Sequence, residues 1–129
     1  MGIANRRLVE NIDIMHQVAQ KQLPVKVSYA LSYNIDKAES ALKIYEKERR
    51  KLLEKYCEKD KGGNLAVGSD GRSAKFKDGD AKESFKKDIE LLLDIEADIS
   101  IRKIKLTDLA GTNFSAAEIS AISDMIDEK

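Results

Sequence analysis

From Val25 to Glu58 the sequence contains neither glycine nor proline, and apolar residues recur at Val27, Leu31, Ile35, Ala38, Leu42, Tyr45, Leu52 and Tyr56. Steps of three and four place these side chains on one face of a single helix. At about 1.5 Å per residue such a helix spans about 50 Å. A compact globule of 129 residues has a radius of gyration of about 14 Å and is only about 36 Å across. The helix outruns the globule, so its apolar seam must be covered piecewise. Either an antiparallel first helix covers one half and a later helix the other, or a second copy of the chain supplies the cover. Arg49 stands where the seam expects an apolar residue, with Arg50 and Lys51 beside it. Its long stem can snorkel out to water, or the position reads a partner.

The remaining elements are short. Residues 5–21 carry Leu8, Ile12, Met15 and Ala19 on one stripe, with Asn5 suited to cap the helix. Pro24 removes Leu23 from the helical region, which ends that helix, and it suits the first turn of the next. Gly62 and Gly63 stop the long helix. Residues 62–79 read as a hairpin or loop, with Leu65 and Val67 before Ser69-Asp70-Gly71 and Ala74 and Phe76 after it. Asp80 with Glu83 resembles a capping box for a helix over 81–96, whose inward side carries Phe85, Ile89 and Leu92. Ile99, Ile101, Ile104 and Leu106 suggest a strand over 99–106, with a break of alternation at Arg102-Lys103. Ser115 with Glu118 opens a closing helix over 115–126. The expected fold is therefore one domain, mostly α with a small β element. Two shorter helices lie along a long central one, joined by a hairpin, one strand and a C-terminal helix.

Composition narrows the function more by exclusion than by pointing. Twenty-three basic residues balance 23 acidic ones, so no net field draws the chain to nucleic acid or to an anionic membrane. Residues 43–61 are locally basic and residues 107–129 locally acidic, which fits a solvated helix face and tail or else a docking patch. Cys57 is the single cysteine, so no intrachain disulfide forms. No apolar run is long enough to span a bilayer and no signal-peptide core opens the chain, which sets a cytoplasmic location as the expectation.

No stretch carries a reaction. His16 is the only histidine and sits beside the first helix's apolar stripe with no companion ligand. Cys57 has Lys55 and Lys59 nearby but no base in sequence reach, and too few Cys and His exist for a zinc site. Asp60-Lys61-Gly62-Gly63-Asn64 lacks the alternating acids of a calcium loop, and Gly68-Ser69-Asp70-Gly71-Arg72 lacks the lysine and helix of a phosphate loop. Tyr29, Tyr33, Tyr45 and Tyr56 share a helix with basic residues, a pattern that suits packing better than base stacking. An enzyme is not expected, and neither is a cofactor.

Several segments, in order, resemble an uncharacterised family of small proteins from bacteriophages and prophages of Gram-positive bacteria. They are Leu23-Pro24-Val25-Lys26-Val27-Ser28-Tyr29, Glu48-Arg49-Arg50-Lys51-Leu52-Leu53-Glu54-Lys55-Tyr56, Leu92-Leu93-Asp94-Ile95-Glu96, Ile104-Lys105-Leu106-Thr107-Asp108-Leu109 and the stretch from Ser115 to Met125. Ala116 departs from the proline that members often carry after the last N-cap. The resemblance implies a phage setting and no mechanism. The leading expectation is a non-enzymatic accessory protein that binds another protein, serving virion assembly or inhibiting a host defence enzyme. A sponge for a host nucleotide signal is the alternative, and it requires Arg102-Lys103 or Arg49-Arg50-Lys51 to face a pocket. Weak nucleic-acid binding by residues 43–61 ranks last. The candidate interaction residues are Arg49, Arg50, Lys51, Arg102 and Lys103.

Overall fold

In the computed structural model, residues 1–66 and 74–127 are described. Strand β1 (Gly2–Ala4) runs into helix α1 (Asn5–Ala19), and α2 (Val25–Tyr56) follows Pro24. Helix α3 (Gly79–Asp94), strands β2 (Glu96–Asp98) and β3 (Ile104–Lys105), helix α4 (Ala116–Ile122) and strand β4 (Ile126–Asp127) complete the order. The chain is mostly helical with small strands, an α+β arrangement in which the long helix packs against others, as its seam required.

Helix α2 is unbroken over 32 residues. The carbonyl of Pro24 accepts from Ser28 at 2.9 Å, so the first turn closes directly behind the proline. At the other end Cys57 still donates to Leu53, but Glu58 turns its amide to Lys75 at 2.7 Å. Bridges from Cys57 to Phe76 and from Lys59 to Leu65 then replace helical bonds. Strand pairing thus ends the helix at Tyr56, ahead of the expected Glu58 and of the glycines.

The chain divides into two compact units, Met1–Leu42 with Glu96–Lys129, and Lys43–Ile95. In the first unit, Met15 and Val18 of α1 pack with Val27, Ala30, Leu31 and Ile35 of α2. Ile104, Leu109, Ile122 and Met125 close that core. A second cluster joins Ile3, Leu8 and Ala38. Arg7 ties α1 to α4 and the turn after it, through the Asp124 carboxylate, the Ser120 carbonyl at 2.7 Å and the Ser123 hydroxyl at 2.8 Å. β1 pairs antiparallel with β2 and β3 pairs parallel with β4.

In the second unit, Tyr56 near the end of α2 donates to Asp88 of α3 at 2.6 Å. Glu48 and Leu52 line one groove with Asp88, Leu91, Leu92 and Ile95, so α3 runs back along α2. Phe76 and Phe85 meet with ring centroids 5.2 Å apart. Ala66 and Lys75 pair as hairpin arms at 2.9 Å. The expected turn at Ser69-Asp70-Gly71, with Val67, lies outside the described residues.

Several boundaries differ from the sequence reading. Asn5 is the first helical residue and is buried; the N-cap is Ala4, held extended by its pairing with Glu96. The third helix starts earlier than 81 because Asp78 is its N-cap, its carboxylate accepting from Ala81 at 2.7 Å, and it ends at Asp94. The stretch 99–106 is not one strand. Only 104–105 of it pair as a strand, a separate strand at 96–98 precedes it, residues 99–103 form no strand, and Leu106–Leu109 form a 3-10 turn. The closing helix stops at Ile122, short of 126, since Ser123–Met125 tighten into a 3-10 turn that delivers Ile126 to β3. Its Ser115–Glu118 capping box is present in both directions.

Candidate functional site

The break of alternation at Arg102-Lys103 has a structural cause. Asn34, 1% exposed within α2, donates to the Arg102 carbonyl at 2.9 Å and accepts from the Arg102 amide at 2.7 Å. Tyr33 and Ser100 share a further hydrogen bond of 2.7 Å. A buried amide thus clamps the chain to the helix where a strand would need those same backbone groups. The clamp fixes the Arg102 guanidinium 5.0 Å from the Tyr29 ring centroid and 5.1 Å from that of Tyr33, both within cation–π range.

Beside this clamp lies a cleft of about 470 Å³. Val27, Ala30 and Ile104 supply apolar lining, Val25 and Tyr29 an exposed rim, and Lys26, Arg102, Lys103, Lys105 and Asp108 the charges. Lys103 is anchored by donating to the Asp124 carbonyl at 2.9 Å. Of the five residues singled out from sequence, Arg102 and Lys103 therefore meet in one cleft. The other three do not join it. Arg49 pairs with Glu46 at 3.5 Å, Arg50 with Glu54 at 3.8 Å and Lys51 with Glu48 at 2.9 Å, all within α2.

The second unit presents a different surface. The groove between α2 and α3 has a volume of about 220 Å³. Ile44, Glu48 and Leu52 follow one stripe of α2, and Asp88, Leu91, Leu92 and Ile95 one stripe of α3. Ile44 is 67% exposed, Leu91 68% and Ile95 56%. Helical spacing sets Leu91 and Ile95 beside the apolar side of α3 marked by Phe85, Ile89 and Leu92, yet both stand open.

The two residues with reactive side chains have structural surroundings. Cys57 is fully buried, and burial pushes its thiol pKa up against the opposing pull of Lys77. His16 faces Glu39 at 3.1 Å on the exposed side of α1. Glu118 is held below the usual carboxylate range, chiefly by the backbone amide of Ser115 at 2.9 Å and further by Lys21 at 3.3 Å. Among the described residues no helix is long and apolar enough to cross a membrane. Compared with protein-family models, curated proteins and solved structures, the chain matches none.

Proposed function

We propose that the chain is a non-enzymatic accessory protein that binds another protein, seating an amphipathic helix of that partner between α2 and α3. The observation that carries this reading is the exposure of Leu91 and Ile95 in the α3 wall of one groove, with exposed Ile44 one turn before Glu48 on the facing α2 stripe. A third helix recognises such a groove with apolar anchors at three- and four-residue spacing. Asp88 gives the groove a carboxylate, while Glu48 is paired with Lys51, so a basic residue flanking those anchors complements it. Burial of Cys57 and the exposed pairing of His16 support a role without bond-making. The resemblance of several segments to phage proteins supports a phage or host partner in the host cytoplasm, in virion assembly or in the inhibition of a defence enzyme. Neither a cofactor nor a nucleic acid enters this reading.

The test is affinity capture from infected host cells with the tagged chain and with the Leu91→Glu/Ile95→Glu variant. Both altered positions are exposed, so the variant should melt as the parent does. One stoichiometric protein held by the parent and lost by the variant is expected. Equal recovery by both would refute the groove, and recovery of only a second copy of the chain would assign it to self-association.

A further inference from the structure

The cleft beside the start of α2 lies in the first unit and plays no part in the groove reading. Four cationic side chains, Lys26, Arg102, Lys103 and Lys105, line it against the single carboxylate of Asp108. Among the described residues, no ion pair includes Lys26, Arg102 or Lys105. An uncompensated cationic wall in a concave site focuses field onto whatever enters it. The site is also built. Arg102 is held by Asn34 at both backbone atoms and by two aromatic rings, and Lys103 by a backbone carbonyl.

We infer that this cleft binds a small phosphate monoester carrying a flat ring, a nucleoside monophosphate being the simplest example. A phosphate monoester concentrates nearly two charges and three acceptor oxygens at one point. That matches cations that line one cleft from the start of α2 and from residues 102–105. Arg102 supplies a planar fork suited to two phosphate oxygens, and the lysines supply point charges. Val27, Ala30 and Ile104 leave an apolar lining for the organic part, and Tyr29, 58% exposed, offers a ring at the rim. A volume of about 470 Å³ lies within the range of small-molecule sites. An acidic peptide spreads single charges along a chain and does not use this concentration. A nucleic-acid strand needs an extended basic track, whereas these four cations border a single cleft.

Thermal melting of the full chain at physiological salt, with AMP, GMP, CMP, UMP, adenosine, inorganic phosphate and a pentaglutamate peptide, tests the inference. At least one nucleotide should raise the melting temperature in a concentration-dependent way, inorganic phosphate should do so more weakly, and adenosine should not. Lys26→Gln/Lys105→Gln alters two exposed side chains and should fold normally while weakening nucleotide binding about tenfold or more. Arg50→Gln, which removes a positive charge in the other unit, should leave binding unchanged. No shift with any nucleotide at millimolar concentration would overturn the inference. So would pentaglutamate binding as tightly as the best nucleotide, or equal loss from Arg50→Gln. None of these outcomes bears on the groove of the second unit, so the two readings fail separately.

Discussion

Asn34 is the residue on which the first unit's local geometry turns. Its amide substitutes for a strand neighbour, satisfying the Arg102 backbone 68 positions away. Asn34→Ala would take from the part-buried Arg102 N–H and C=O their side-chain partner, at a cost of up to about 1–3 kcal/mol. Denaturant unfolding should register that loss. Asn34 escaped the sequence reading because a polar residue between Tyr33 and Ile35 leaves the seam's spacing intact, and its partner is set by tertiary structure alone. Ser115 and Glu118 are the opposite case, legible as a local capping box and present as such. Glu118's pKa is lowered in the folded chain, so its contribution is present above the ordinary carboxylate pKa and fades as pH falls through the lowered folded value. Glu118→Gln should therefore destabilise at pH 7, by a margin that shrinks as the pH is lowered through the folded pKa, as urea titrations across that range would record.

Among the elements, α2 was the most legible because its pattern is long, uninterrupted and set by local spacing. Val27, Leu31, Ile35, Ala38 and Tyr45 are buried as that spacing requires. The pattern also separates neighbours. Leu42 is partly buried against the Ile3, Leu8 and Ala38 cluster, whereas Lys43 is exposed. Leu42→Asp should lower the melting temperature sharply, since it places a charge among apolar side chains, while Lys43→Asp should change stability by less than about 0.5 kcal/mol. The strands were poorly legible for a physical reason. Gly2–Ala4 and Glu96–Asp98 are three residues each, too short to alternate visibly, and they form only because each finds the other across the chain. The stretch 99–106 misled because Ile99, Ile101, Ile104 and Leu106 mimic a strand, while Asn34 claims the backbone between them.

On the scale of the whole molecule, the long helix lends one part to each of two compact units, and each unit carries its own open surface. The cationic cleft was half visible in advance, through Arg102 and Lys103. Lys26 and Lys105 were not, because they are distant in sequence and meet only in the fold. The groove was not visible, because periodicity alone does not tell an apolar residue that is covered from one left open to receive a partner. Amide hydrogen exchange on the chain bound to its captured partner tests that assignment most directly. Exchange should slow at residues 44–52 and 88–95 and stay unchanged at residues 5–19. Slowing confined to residues 1–42, with 88–95 exchanging as in the free chain, would contradict it.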